Sequence, residues 1–308
     1  MSDINEIASA HLGKAGDGSV VKPYVTPDSI DKSLLVPVPR YLNRTAYGLT
    51  GDEFYGWDTW HGYEVSFLLD SGYPVNAVIK CAYDSSSESI VESKSLKLYL
   101  NSYNMAKMGA TVTDALEAAR NQIALDLTKV LMTEVDVYLH LATDDSTTEL
   151  PVNKYDFRLL DEAYLDDPTS IEFDVYNESE DILEVGIHDS NEQWVWTPSL
   201  RSNCRVTNQP DWGDVYIYMK GASLPSDTSL LKYIVSMRKE NHFHEEICEC
   251  LYKRLLDKFS PSELFVCCLY TRRGGIDINP VRYSHPHLGN LAAGLRNTMA
   301  ISEKTLRQ

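Results

Sequence analysis

The feature that most narrows the fold is an order of elements that occurs twice. In the first half, residues 75–83 are rich in strand formers and 89–92 read as a second short strand. Residues 93–101 and 113–131 then read as helices, and 135–141 alternate as a strand. In the second half, 195–206, 215–219 and 264–270 read as strands and 245–259 as a helix. Residues 230–237, apolar with mixed period, could be helix or strand and are taken as a helix because they occupy the place of 93–101. The closing strands begin 264 − 135 = 129 residues apart, and the two long helices keep about that offset. In the first long helix Thr113 is a candidate cap, and Leu116, Ala119, Ile123, Leu127 and Val130 form one apolar stripe. Two runs of strand, strand, helix, helix, strand imply a duplicated α+β unit, since each run needs the other layer to bury its apolar face.

The remaining segments frame this repeat. Residues 1–35 are polar and read as an irregular lead-in. Pro37 and Pro39 hold the next stretch extended. The aromatic run 54–60 and residues 63–68 read as packing. Residues 142–181 are acidic, contain Pro151 and Pro168, and form a candidate boundary, part of which could supply a final strand to the first unit.

Charge excludes one class of partner. With 28 Lys and Arg against 45 Asp and Glu the net charge is −17, a poor surface for a nucleic-acid backbone, so no direct nucleic-acid contact is expected. No run approaches the roughly 18 apolar residues needed to cross a bilayer. Residues 1–6 lack a basic stretch followed by an apolar one, so no secretory leader and no membrane partner are expected. Six cysteines over 308 residues do not form a disulfide framework, and adjacent Cys267 and Cys268 would face opposite ways on a strand. A cytoplasmic chain with reduced thiols is expected.

The candidate chemistry begins at Ser202-Asn203-Cys204-Arg205-Val206-Thr207-Asn208-Gln209-Pro210-Asp211. A turn over Thr207–Pro210 would bring the Cys204 thiol and the Asp211 carboxyl together. Such a pair offers a nucleophile and an acid, although a buried cysteine and a solvated aspartate are the plain alternative. Glu245 and Glu246 could accept paired N–H donors from a guanine-like edge, or could serve only the helix N-terminus. His242, His244, Cys248 and Cys250 resemble a ligand set, but Cys248 and Cys250 point about 200° apart on a helix and match no paired-cysteine knuckle, so no metal is expected. Arg272-Arg273-Gly274-Gly275 after a strand suits a phosphate, as do Lys94 and Lys97 one helical turn apart; both could equally be solvated. No Gly-x-Gly-x-x-Gly follows a strand, which excludes a Rossmann crevice.

Taken together, Glu92-Ser93-Lys94-Ser95-Leu96-Lys97-Leu98-Tyr99, the Ser202–Asp211 stretch, Phe243-His244-Glu245 and Thr271-Arg272-Arg273-Gly274-Gly275-Ile276-Asp277-Ile278-Asn279-Pro280 resemble the NADPH-dependent 7-cyano-7-deazaguanine reductases, the nitrile reductases of the two-module branch. The likeness runs from Leu12-Gly13-Lys14 to Pro280; Phe67 stands where the family usually has Trp, and 142–181 and the tail after about 285 align loosely. The resemblance implies an α+β fold of tandem tunnelling-fold modules, each an antiparallel sheet backed by two helices, over 36–165 and 166–308. It also implies a homodimer acting on a deazapurine base with NADPH. By position it implies that Cys204 is the nucleophile forming a thioimide and Asp211 the proton donor. Val91, Glu92, Ser93, His244 and Glu245 would meet the substrate, and Ser93, Lys94, Arg273 and Gly274 the cofactor. A donor must be neutral when it acts, which a desolvated pocket would favour by raising the Asp211 pKa. A nearby carboxylate anion would raise the thiol pKa too, so proton transfer between the two is expected to be coupled to substrate binding. The alternatives are an amidine-forming relative on the same scaffold, which needs no NADPH, and a non-catalytic purine or pterin binder.

Overall fold

The structure, a computed structural model, describes residues 27–144 and 147–308. The lead-in expected over 1–35 lies mostly outside the described residues. Short strands β1 (Pro37–Pro39) and β4 (Ser89–Val91) pair with each other, apart from the main sheet. That sheet has eight strands among the described residues: β2 (Tyr55–Leu68), β3 (Pro74–Asp84), β5 (Val135–Leu141), β7 (Arg158–Leu159), β8 (Glu192–Asn203), β9 (Pro210–Lys220), β10 (Glu263–Tyr270) and β11 (Ile276–Tyr283). The strand order is β5-β3-β2-β11-β10-β9-β8-β7, antiparallel except that β7 runs parallel to β8. Between β5 and β7 lies the two-residue β6 (Thr147–Thr148), which pairs with β12 (Ile301–Ser302) near the C-terminus. Four long helices, α1 (Ser93–Asn101), α2 (Val112–Leu131), α3 (Asp227–Ser236) and α4 (His244–Phe259), complete a mixed α+β architecture.

The repeat is present with its first strand reassigned. The unit is a long hairpin, two helices and a strand: β2, β3, α1, α2, β5, then β8, β9, α3, α4, β10. Both hairpins break register at matching places, between Gly62 and Val65 and between Thr197 and Leu200. The aromatic run read only as packing is therefore β2, and residues 89–91 stand outside the unit's sheet. Its tryptophans do pack: Trp60 enters the core under the first helix pair and Trp57 the core on the opposite face. Residues 158–159 pair with β8, not with the first unit. Helix α2 is capped by Thr111, whose side chain accepts from the Asp114 N–H, two residues before the expected Thr113.

The unforeseen element is β11. Its Asn279-Pro280 argues against a central strand, because proline cannot donate to a ladder. Yet β11 pairs on one side with β10 and on the other with β2, so it joins the two half-sheets into one. This places the turn before β11 against the first unit, where the site forms. The alternation also sends Cys268 into the core beneath α3 and α4 and Cys267 into the opposite core, as expected of neighbours on a strand. All six cysteines are free.

Beneath the N-terminus of α4 lies a buried ion network. Arg282, fully enclosed, holds Asp58 at 2.8 Å and Glu249 at 2.8 Å; Arg40 also pairs with Asp58, and Arg44 with Glu249 at 2.7 Å. The network ties β2, β11 and α4 together, because each partner left alone would be a buried uncompensated charge.

Candidate active site

The β8–β9 hairpin explains why Cys204 and Asp211 meet. Ser202 pairs with Asp211 and Asn203 with Pro210, so the loop leaves the ladder at Cys204. It closes through Cys204 N–H to the Gln209 carbonyl at 2.8 Å and Asn208 N–H to the Cys204 carbonyl at 3.0 Å, with Asn208 left-handed at φ 55°. Asparagine tolerates that conformation better than most residues. The thiol is half-buried and Asp211 buried.

Three other segments close on this loop around a cavity of about 350 Å³. The start of α1 brings Glu92, Ser93, Lys94 and Lys97. Glu92 is the helix cap: its carboxylate accepts from the N–H groups of Lys94 and Ser95 at 2.9 and 2.6 Å. The start of α4 brings His242, Phe243 and His244. The turn between β10 and β11 brings Arg273 and Gly274, with Ile276 and Ile278 as apolar floor. In that turn Gly274 and Gly275 are left-handed, at φ 56° and 77°. A Cβ on Gly275 would also stand 2.7 Å from the Glu64 carboxyl carbon, so both backbone and neighbour favour glycine.

Thus Glu92, Ser93, Lys94, Cys204, Asp211, His244, Arg273 and Gly274 share one cavity although they come from both halves of the chain. Two expected residues do not line it. Val91 is buried in the core of the first half. Glu245 lies behind the wall, 2% exposed, at a void of about 10 Å³ shared with Arg40 and Glu249. Its Oε1 has no hydrogen-bond partner among the described residues. Burial first, and Asp58 second, push its pKa up to about 8, against the pull of Arg40 and Arg282. Phe243, Gln209, Thr207, Ile276 and Ile278 are wall residues that sequence reasoning did not assign; Thr207 and Gln209 were visible only as turn residues. The arginine pair is split. Arg272 lies 3.3 Å over the Tyr63 ring centroid and only Arg273 faces the cavity.

Desolvation does not prevail at Asp211. Burial alone would raise its pKa, but His244, with Nε2 3.4 Å from the carboxylate, and Arg273, in direct ion pair with it, hold it below the usual value. Arg273 also donates to Gln209 Oε1 at 2.6 Å. Burial would lower its own pKa, yet Asp211 and then Cys204 raise it, so one guanidinium serves both reactive groups. His244 is held flat on Tyr270, 3.8 Å between centroids and 12° between planes. Its Nδ1 lacks a partner among the described residues.

The wall fits an anionic, phosphate-bearing cofactor. Lys94, Lys97 and Arg273 converge there in a chain of net charge −17. Lys94 has no ion-pair partner among the described residues, while Lys97 pairs with the half-exposed Glu64 at 2.8 Å. Fixed cations beside a glycine turn suit phosphate oxygens. The same residues do not build a metal site: among the described residues no cluster of three or more His, Cys, Asp or Glu could hold a metal ion. No helix among them is long and apolar enough to cross a membrane.

Comparison with known proteins gives a consistent result. Residues 26–139 match the family described as "Nitrile reductase, 7-cyano-7-deazaguanine-reductase N-term", and 210–287 match "QueF-like protein". Curated relatives described as NADPH-dependent 7-cyano-7-deazaguanine reductase include one from Hahella chejuensis, 39% identical over 90% of this chain and 93% of that protein. Others are from Desulfotalea psychrophila, 36% identical over 86% and 92%, and from Colwellia psychrerythraea, 36% identical over 85% and 90%. Among solved structures, the archaeosine synthase QueF-Like in its apo form covers 32% of this chain and 96% of its own, at 17% identity and a TM-score of 0.30.

Proposed function

This chain belongs to the NADPH-dependent 7-cyano-7-deazaguanine reductase family, and from that membership we propose that it reduces the nitrile of 7-cyano-7-deazaguanine to the 7-aminomethyl amine through a covalent adduct on Cys204. It is an oxidoreductase acting on a nitrile with NADPH as reductant. The observation that carries the covalent route is the half-buried Cys204 thiol facing one cavity with Asp211, His244 and three cations.

The steps follow from the side chains. A nitrile is a poor hydride acceptor. Addition of the Cys204 sulfur to its carbon, with the thiol proton passing to nitrogen, gives a thioimide whose polarised C=N accepts hydride readily. Asp211 lines the same cavity as the thiol and donates the proton that nitrogen requires as hydride arrives. Collapse of the resulting adduct expels the Cys204 thiolate and leaves an imine, which is reduced again at the same place. A nitrile becomes an amine by gaining four electrons and four protons; NADPH supplies two electrons as hydride, so two are consumed per substrate. Lys94, Lys97, Arg273 and the Gly274 turn would hold the phosphates, and Ser93 and Gly274 would meet the rest of the cofactor. Glu92 and His244 grip the deazaguanine from the cavity. Glu245, enclosed behind its wall, takes the paired N–H donors of the base edge once the start of α4 opens its void to the cavity. Phe243 and Ile278 supply its apolar bed, while Val91 stays in the first-half core, next to Glu92 in the chain.

The same reading includes tandem tunnelling-fold modules over 36–165 and 166–308, with β7 of the first span joined to the sheet of the second, a homodimer and no direct nucleic-acid contact. Six free cysteines support a cytoplasmic enzyme. The test is loss of NADPH absorbance on adding the cyano-deazaguanine base. Two NADPH per substrate are expected from the wild type and none from Cys204→Ala. Consumption independent of Cys204 overturns the mechanism, and consumption of ammonia without NADPH would favour the amidine-forming alternative.

A further inference from the structure

An acid must carry its proton when it acts, yet His244 and Arg273 favour Asp211 as a carboxylate. The groups that face it are His244 from α4, Arg273 from the β10–β11 turn, Cys204 at the loop base, and Tyr270 on β10, which stacks on His244. Across the cavity stand Glu92, Lys94 and Lys97. Arg273 is the removable member of this set. Its side chain is 31% exposed, whereas Asp211 is at 3% and His244 at 12%. It rides on a turn of two left-handed glycines, and a Cβ at neighbouring Gly274 would stand 3.7 Å from the Lys97 ammonium. The cavity therefore offers the guanidinium two anion positions. One is the carboxylate it holds now, and the other is a space flanked by Lys94 and Lys97.

We propose that Arg273 is a mobile guanidinium shared between Asp211 and a phosphate of the cofactor, so that cofactor docking draws it off Asp211 and Cys204 and lets Asp211 take up the proton it then donates. The inference rests on the reductase reading and makes Arg273 a positioning residue that acts on the chemistry through Asp211. The balance closes: the carboxylate gains one proton from solvent, passes it to the substrate nitrogen, and is an anion again when Arg273 returns. With Arg273 withdrawn, burial is opposed by His244 alone, so the carboxyl shifts toward its neutral form. The arrangement keeps the acid unarmed until the reductant is in place.

The experiment is calorimetry of adenosine 2′,5′-bisphosphate and, separately, ADP, in two buffers of different ionisation enthalpy. The proteins are the wild type, Asp211→Asn, Asp211→Ser, Arg273→Gln and His244→Gln. Losing its carboxylate rival frees Arg273, so both Asp211 variants bind the productive nucleotide about three- to tenfold more tightly than wild type. Arg273→Gln binds about tenfold more weakly. The wild type takes up protons on binding near neutral pH, the Asp211 variants do not, and His244→Gln still does. Whichever nucleotide shows these effects identifies the phosphate that Arg273 receives. The inference is overturned by equal or weaker binding in the Asp211 variants, by proton uptake that survives their substitution, or by Arg273→Gln binding as wild type does. It also falls if neither nucleotide binds any form of the protein, whereas the reductase reading is judged separately by NADPH consumption.

Discussion

Glu245 offers the most quantitative prediction, because its burial gives substrate binding a defined pH dependence. The free protein holds this carboxyl up to about 8, through burial first and the neighbouring Asp58 second. The base edge offers donors, so it needs the ionised form. Binding below pH 8 must therefore expel a proton. At pH 7 a group of pKa about 8 is roughly nine-tenths protonated, and ionising it costs about 1.4 kcal/mol, one pKa unit. The apparent Kd should then fall about ninefold from pH 6 to 7, about fivefold from 7 to 8, and level off above 8. The assay is calorimetry of 7-cyano-7-deazaguanine with Cys204→Ala, which cannot form the adduct, and the proton release at pH 7 should approach 0.9 per site by the same arithmetic. Glu245→Gln should bind more weakly with a flat profile. Affinity that is flat from pH 6 to 8, or a slope that survives in Glu245→Gln, would refute the reasoning.

Other outcomes follow from the same geometry. Arg282→Met leaves Asp58 and Glu249 short of their shared partner in a fully buried network and should cost about 3–5 kcal/mol, read from urea unfolding. Gly275→Ala puts a side chain at φ 77° and should cost about 1–2 kcal/mol, raising KM for NADPH several-fold while leaving adduct formation intact. Lys94→Ala should raise KM for NADPH about tenfold with little change in kcat, and should flatten its dependence on salt, as expected when one phosphate contact is lost. In Asp211→Asn the rate of adduct formation should change its pH profile, measured by rapid-mixing absorbance; an unchanged rate and profile would show that the thiol and the acid are not coupled.

What could be read from the chain alone depended on how local the cause was. Helices α2 and α4 were legible because each carries its own apolar stripe, whereas α3, of mixed period, was legible only from its place in the repeat. The meeting of Cys204 and Asp211 was legible because it needs only a hairpin loop between neighbouring strands. Strand β11 was hidden because Pro280 speaks against a central strand, and only the pairing with β2 and β10 compensates for the donor it lacks. Strand β2 was hidden because its aromatic run is buried on both faces and so does not alternate. Charge was the least legible property. The sequence shows that Asp211 lies near a thiol, but its ionisation is set by Arg273, 62 residues away, and by His244. Likewise nothing around Glu245 in sequence reveals that Asp58, from the other half of the chain, lies close enough to oppose its ionisation. Local pattern fixes which groups exist, and long-range pairing fixes their protons.

The most direct measurement is the intact mass of the protein mixed with 7-cyano-7-deazaguanine in the absence of NADPH. The account predicts a gain of one substrate mass per chain, located on Cys204, lost on adding NADPH and missing in Cys204→Ala. A wild-type enzyme that turns over substrate with no such adduct, or an adduct that persists in Cys204→Ala, contradicts it.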